Sequence, residues 1–140
     1  MGPFLFVVFV NDLPDVVHST TFLFADDTKI FAKAPEESHL LQEDLEKLQL
    51  WSDTWHLRFN AEKCKVMHIG KNNEPYGYQM TSKGQCVTLE SVRLERDLGV
   101  SFDSELKFKE HINTQVVKAN RLLALLRRGF TALDRSSLSA

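Results

Sequence analysis

Apolar and polar positions follow one another along the chain in short blocks that predict a mixture of helices and strands. The first block, from Pro3 to Val10, is apolar at every position, so periodicity alone leaves open a buried strand or a short buried helix. The block ends at Asn11-Asp12, far short of the roughly 20 residues that cross a bilayer. It is therefore predicted to be a core segment.

A strand, a tight turn and a second strand are predicted next. The runs 21–25 and 28–32 are rich in strand-forming apolar residues and are separated by the pair Asp26-Asp27. Two neighbouring carboxylates repel each other and are costly to desolvate, so this position indicates a compensating cation. Oxygen ligands without nearby His or Cys favour Mg²⁺ or Mn²⁺. The alternative is an ordinary Asp-Asp turn whose side chains hydrogen-bond the backbone.

The rest of the pattern predicts a helix, a segment rich in strands and a second helix. The first helix begins near Pro35 and carries apolar residues at helical spacing, namely Leu41, Leu45, Leu48, Trp51 and Trp55. Strands are predicted at 57–60, at 65–69 and within 76–102, with 93–97 as a charged separator. The last helix is capped by Asp103 or Ser104 and ends at Gly129. Its apolar positions are Phe108, Ile112, Val116, Ala119, Leu122, Leu123 and Leu126. The predicted fold class is α+β, with antiparallel sheet and packed helices.

Composition narrows the possible partners. The chain has 140 residues, of which 43% are hydrophobic and 26% charged, as in a soluble globular domain. A net charge of -2 provides no global attraction to nucleic acid, so such binding requires a local basic surface. One candidate lies between Lys107 and Arg128, where six Lys or Arg stand against one acidic residue, Glu110.

The two cysteines, Cys64 and Cys86, are isolated in the sequence. This spacing favours reduced thiols in an intracellular protein over a disulfide. Cys64 and His68, four residues apart, could contribute to a zinc site, but two ligands do not complete its tetrahedral shell. Packing roles are therefore predicted for both.

Four blocks, in this order along the chain, resemble the reverse transcriptases of non-LTR retrotransposons of the jockey and chicken-repeat type. Gly2-Pro3-Phe4-Leu5-Phe6 with residues 9–14 resembles the helix after the family's Gln-Gly motif. Phe24-Ala25-Asp26-Asp27-Thr28 resembles the catalytic hairpin. Residues 51–53 with 57–65 resemble the next palm motif, and 97–103 resemble the primer-grip region.

The resemblance implies a right-hand RNA-directed DNA polymerase. Residues 1–103 would be part of its palm, and residues 104–140 would be the start of a helical thumb with a basic helix. Palm carboxylates would hold two Mg²⁺ (or Mn²⁺) ions, with Asp26 as the principal catalytic ligand and Asp27 as its neighbour. The partners of the complete enzyme would be an RNA template, a DNA primer and dNTP, in the nucleus and without a membrane.

The same resemblance implies substrate contacts for further residues. Those at the incoming nucleotide would be Phe24, Ala25, Asn60 and Lys63; those at the primer end, Leu98, Gly99 and Val100; those at the nucleic-acid backbone, Lys118, Arg121, Arg127 and Arg128. The alternatives are a solvated strand-end lysine at Lys63, a turn or bulge glycine at Gly99, and a solvated cationic face on the last helix.

The chain departs from the family pattern at its start. Met1 stands just before Gly2-Pro3, so the Gln-Gly block, the fingers and the strand with the first catalytic aspartate are expected to be missing. We therefore expect the isolated chain to be inactive, with an unpaired sheet edge that favours self-association. Two other hypotheses stay open: a nucleic-acid-binding or interaction module without chemistry, and an enzyme completed in trans by an upstream fragment or a dimer partner.

Overall fold

Helices and short strands alternate in the computed structural model, which describes residues 2–71, 73–82 and 84–130. The elements are α1 (Gly2–Phe9), a 3₁₀ turn (Leu13–Val16), β1 (Thr20–Phe24), β2 (Asp27–Phe31), α2 (Ser38–Trp55), β3 (Lys65–Val66), β4 (Gln79–Ser82), β5 (Gln85–Thr88), β6 (Glu90–Ser91), β7 (Leu94–Asp97), β8 (Val100–Asp103) and α3 (Lys109–Gly129). This mixture agrees with the predicted α+β class.

The strands of the described residues pair two by two. The antiparallel pairs are β1 with β2, β4 with β5, and β7 with β8, as predicted. The pair of β3 and β6 is parallel, so the prediction of purely antiparallel sheet is wrong there. A parallel pair needs a long crossover between its strands, and here the β4–β5 hairpin provides it. The described residues divide into two compact units between Arg93 and Leu94.

Helix α2 is the centre of the first unit. Its predicted apolar stripe is confirmed: Leu48 and Trp51 are buried, and Leu41 and Leu45 are partly buried. One core cluster joins Leu48 and Trp51 to Val10, Leu13 and Val17; a second consists of Ala61, Tyr78, Met80 and Leu89. Because Leu45 and Phe59 pack against both, the two clusters meet along this helix.

The opening apolar run forms a helix, α1, and the prediction that it is a core segment is wrong for most of its length. Phe4 is 74% exposed, and no residue of α1 is buried. Phe6 packs against the first core cluster, to which the buried Val10 after the helix belongs. Phe9 is 38% exposed and makes edge-to-face contacts with Trp51 and Trp55, at centroid distances of 6.3 and 5.3 Å. A short helix that is apolar all round can turn only one side to a core, so its other apolar side chains face outward.

Residues 57–60 are irregular, so the strand predicted there is wrong. The end of α2 uses their backbone groups instead. The Leu57 N–H donates to the Ser52 carbonyl at 3.1 Å, and the Ser52 hydroxyl donates to the Leu57 carbonyl at 2.7 Å. Groups that close a helix in this way are not available for a strand ladder.

The second unit contains the β7–β8 hairpin and helix α3. Strand β7 occupies most of the charged stretch predicted to be a separator, which corrects that prediction. The last helix begins at Lys109, so its cap position is Phe108 and not Asp103 or Ser104 as predicted. Asp103 caps the preceding turn instead, where its carboxylate accepts the N–H groups of Glu105, Lys107 and Phe108 at 3.1, 3.1 and 2.6 Å.

The apolar positions of α3 do not form a core within the described residues. Ile112 is 54% exposed and Leu122 is 60% exposed, and no residue of the helix is buried. The helix meets β8 near its start, where His111 Nδ1 accepts the Ser101 N–H at 3.3 Å. No helix among the described residues is long and apolar enough to cross a membrane.

Candidate active site

The pair Asp26-Asp27 lies at the end of the β1–β2 hairpin, one residue away from the predicted arrangement: Asp26 is in the turn, and Asp27 is the first residue of β2. Phe24 pairs with Asp27, so Ala25 and Asp26 are the two central residues of the turn. Ala25 has a φ of 53°, whereas Asp26 keeps a negative φ. A positive φ at the first central position is the pattern of a type II′ turn, whose twist matches that of the flanking strands. The backbone of the two aspartates is therefore fixed by the hairpin.

Both carboxylates are exposed, and neither has a hydrogen bond or ion pair with another described residue. The ordinary Asp-Asp turn requires side chains that accept backbone N–H groups, and neither side chain does so. Asp103 shows that role in the same chain, with three backbone donors on one carboxylate. The oxygens of Asp26 and Asp27 remain open to an external cation.

A cleft of about 220 Å³ opens beside the turn. Its apolar walls are Phe6, Val10, Leu13, Leu23, Leu57 and Phe59. Its other lining residues are Ala25, Asp26, Thr28, Arg58 and Asn60. Three residues that the sequence assigns to chemistry or nucleotide binding, Ala25, Asp26 and Asn60, therefore share one cleft. The irregular course of 57–60 brings Asn60 there.

Phe24 and Lys63, also assigned to nucleotide binding, do not line this cleft. Phe24 is 59% exposed on the outer face of the hairpin, where Phe22 and Phe31 form an edge-to-face pair with centroids 5.7 Å apart. Lys63 is exposed in the turn after Asn60, and its backbone N–H donates to the Asn60 carbonyl at 2.9 Å.

Arg58 is a cleft residue that sequence reasoning missed. Among the described residues that line the cleft, which include Asp26 and Asn60, Arg58 is the one cation. A guanidinium in a cleft suits the planar, bidentate recognition of phosphate oxygens. The sequence feature that could have indicated this role is the position of Arg58 between the apolar residues Leu57 and Phe59. When the side chains on both sides of a charged residue face the core, the charged side chain must point away from it.

The residues assigned to the primer end lie in the second unit. Leu98 and Gly99 are the central turn residues of the β7–β8 hairpin, with φ of 45° and 86°, and Val100 pairs with Asp97. Positive φ at both central positions is typical of a type I′ turn, in which glycine avoids the steric cost of a Cβ. Gly99 is therefore a turn glycine, and Leu98 is 56% exposed at the tip.

The four residues of α3 that the sequence assigns to the nucleic-acid backbone are all exposed, but they do not share one face. At about 100° per residue, Lys118, Arg121 and Arg128 fall within an arc of roughly 80°. Arg127 falls on the side of Val116 and Leu123. None of the three aligned cations has an ion pair with another described residue.

Residues 1–115 match the family model of the reverse transcriptase (RNA-dependent DNA polymerase). The chain belongs to this family. Two similar proteins are RNA-directed DNA polymerases from the mobile element jockey. The one from Drosophila melanogaster is 29% identical over 154 aligned positions, which cover 99% of the chain and 16% of that polymerase. The one from Drosophila funebris is 29% identical over 143 positions, which cover 89% of the chain and 15% of that polymerase.

These matches confirm the resemblance to reverse transcriptases of non-LTR retrotransposons. The chain spans about one sixth of the length of the curated relatives it matches. No solved structure shows a significant match.

Reverse transcriptases generally use divalent metal ions, and Asp26 and Asp27 fit part of such a site. Their carboxylates are hard oxygen donors of the kind that Mg²⁺ and Mn²⁺ prefer. Within residues 2–71, 73–82 and 84–130, no group of three or more His, Cys, Asp or Glu could hold a metal ion. The pair by itself would therefore supply only part of the ligands of a metal centre. Magnesium commonly takes one or two carboxylates and fills its shell with water and substrate phosphates.

Cys64 and His68 do not form the zinc site that their spacing allowed. His68 Nε2 accepts the Tyr76 N–H at 3.0 Å, and Nδ1 lies 3.3 Å from the Ser91 hydroxyl. Cys64 packs against the second core cluster, and this burial raises the pKa of its thiol. A raised pKa disfavours the thiolate that zinc binds.

The turn makes a prediction about Ala25. Replacing Ala25 by Gly relieves the positive φ and should raise the free energy of unfolding by about 0.5–1 kcal/mol. The matched control is Ala32→Gly, just after β2 and without a positive φ. There the added backbone freedom of glycine should lower the same quantity by about 0.5–1 kcal/mol. Denaturant unfolding of both variants measures this, and a change of the same sign in both would contradict the turn geometry.

Proposed function

We propose that this chain is the palm and thumb-start part of an RNA-directed DNA polymerase, and that its β1–β2 hairpin supplies two carboxylates of a two-metal centre. The observation that supports this most is the state of Asp26 and Asp27. They are exposed at a fixed turn, without partners among the described residues, beside a cleft that holds Arg58 and Asn60. In a reverse transcriptase such a pair is best explained as a cation site.

Each residue has a definite part in this proposal. Asp26, at the edge of the cleft, is the principal ligand, and Asp27 supports the same charge from the neighbouring position. Bound Mg²⁺ or Mn²⁺ would supply the positive charge that activates a primer 3′-hydroxyl and stabilises the leaving pyrophosphate. Asn60 and Arg58 line the same cleft and would contact the nucleotide there, with the guanidinium binding phosphate oxygens. Because the turn fixes the backbone of both aspartates in advance, only their side chains have to be ordered by the bound ion.

We further propose that residues 1–140 do not catalyse this reaction alone. The described residues add no third ligand to the Asp26-Asp27 pair. Incomplete preorganisation of charge removes most of the transition-state stabilisation of such a centre, typically by several orders of magnitude in rate. A further carboxylate from the rest of the polymerase completes the centre.

Primer extension tests both parts of the proposal. Residues 1–140 should give no extension on an RNA template in Mg²⁺ or Mn²⁺. A chimera in which this segment replaces the matching segment of the Drosophila melanogaster jockey polymerase should extend the primer. In that chimera Asp26→Asn should lower the rate by about 10²-fold or more, whereas the matched control Asp53→Asn on α2 should not.

Two outcomes would contradict the proposal. Extension by residues 1–140 that Asp26→Asn abolishes would show that the centre is complete in this chain. A chimera whose extension rate is unchanged by Asp26→Asn would show that Asp26 is not a ligand.

A second candidate function is nucleic-acid binding by α3 without chemistry. It is supported by the three exposed cations Lys118, Arg121 and Arg128 on one helical face. Contacts of this kind go to phosphates, position the protein on a duplex and carry no sequence information.

Charge reversal distinguishes a binding face from a solvated one. The single variants Lys118→Glu, Arg121→Glu and Arg128→Glu should each weaken binding to an RNA–DNA duplex and reduce the salt dependence by about one unit of slope. Arg127→Glu, on another side of the helix, is the matched control with a smaller effect. Fluorescence anisotropy at several salt concentrations measures both. Equal losses for any of the four residues would contradict a defined face.

A further inference from the structure

Asp44 is a fully buried carboxylate that joins α2 to the start of the catalytic hairpin. Its side chain is 0% exposed in the middle of the helix. Both of its oxygens lie 3.1 Å from the backbone N–H of His18, and Oδ2 accepts the Ser19 N–H at 2.8 Å. Lys47 Nζ donates to Oδ1 at 2.8 Å. His18 and Ser19 are the two residues immediately before β1.

The charge state of this carboxylate follows from its partners. Burial by itself raises the pKa of Asp44, but the Lys47 ammonium and the groups of Ser19 and His18 outweigh burial and hold the pKa well below its usual range. A buried charge is tolerated only where it is paired and hydrogen-bonded, and this one is both. Asp44 is therefore a charged anchor, bonded on one side to backbone that leads into β1.

The hairpin needs such an anchor. A two-stranded hairpin is marginally stable alone, and within the described residues β1 and β2 pair only with each other. Leu23 and Ile30 pack against the first core cluster and so favour one register of the hairpin, and the bonds of Asp44 to His18 and Ser19 hold the backbone in that register where the chain enters β1. A slip of one residue turns every side chain of a strand to the other face. Such a slip would remove Asp26 from the cleft.

We infer that Asp44 is a positioning residue for the polymerase reaction, which fixes β1, and with it Asp26, beside the cleft. It touches neither metal nor substrate and acts through His18 and Ser19. This role rests on the proposed function, since the hairpin matters to catalysis only if Asp26 is a metal ligand.

Hydrogen exchange of the 140-residue chain tests this role without metal or activity. Asp44→Asn replaces one acceptor oxygen by a donor, so the His18 and Ser19 amides and the β1–β2 ladder should exchange at least about tenfold faster. The ladder of β4 and β5 should keep its protection. Asp53→Asn is the matched control, because Asp53 is on the same helix, exposed, and bonded only to Gln49 at 3.2 Å among described residues. Unchanged exchange in the hairpin, or equal acceleration in both ladders, would overturn the inference.

Lys47→Met keeps the backbone bonds of Asp44 and removes only its ion pair, so it serves if Asp44→Asn does not fold. The same hairpin-limited acceleration, smaller in size, is expected, and a uniform change would overturn the inference.

Lowering the pH of the unmutated chain gives a third test. Because the folded pKa of Asp44 is depressed, its stabilisation is complete above the ordinary value of 3.8 and is lost as the pH falls further. As the pH is lowered below 3.8, the β1–β2 hairpin of the unmutated chain should lose its hydrogen-exchange protection before β4 and β5 do.

In the chimeric polymerase, Asp44→Asn should lower the extension rate while Asp26 is intact and should add little to Asp26→Asn. Hairpin-limited exchange without this kinetic coupling would show that Asp44 positions the hairpin but that the proposed function of the hairpin is wrong. Kinetic coupling without any change in hairpin exchange would overturn the positioning role alone.

Discussion

Burial of one face of α2 is the constraint on which the first unit depends. Leu48 and Trp51 bring the segment after α1 and the hairpin onto one side of the helix. The indole N–H of Trp51 is satisfied by Asp12 at 3.2 Å, so this aromatic side chain is buried without a lost hydrogen bond. The same helix carries Asp44, which holds the entry to β1. Packing and charge on one helix thus place the tip of the hairpin.

The aspartates at the tip of the hairpin differ from Asp44 and Asp103 in their hydrogen-bond partners. Asp44 is satisfied by two backbone N–H groups and an ammonium, and Asp103 by three backbone N–H groups. Asp26 and Asp27 have no such partners among the described residues. Asp44 and Asp103 thus form one group, which satisfies local structure, and the exposed pair Asp26-Asp27, which we propose binds a metal ion, forms a second. The second group lies in the segment that resembles the family's catalytic hairpin.

Much of this arrangement could be predicted from the sequence, because it depends on local pattern. Alternation and the Asp-Asp pair located the hairpin to within a residue, and helical spacing located α2. The irregular conformation of residues 57–60 could not be predicted, because it depends on the hydrogen bonds between Ser52 and Leu57 at the end of α2. The place of Arg58 in the cleft follows from that irregular course.

The sequence also did not predict the anchor role of Asp44 or the exposure of α1 and α3. In the sequence, Asp44 does not differ from the other acidic residues of an amphipathic helix. Only its distances to His18 and Ser19 in the structure show its function in the fold. Apolar spacing predicts that a helix has a side to bury, but not what lies against it. Ile112 and Phe4 accordingly remain largely exposed in the described residues.

The most direct test of the central claim is a map of Mn²⁺ binding by amide NMR of residues 1–140. Paramagnetic broadening falls steeply with distance, so it reports where the ion resides. The account predicts broadening centred on the amides of 24–28, with weaker effects at Arg58 and Asn60, and its loss in an Asp26→Asn, Asp27→Asn variant. Broadening centred elsewhere, or unchanged in that variant, would contradict the claim that the hairpin carboxylates form part of a metal centre.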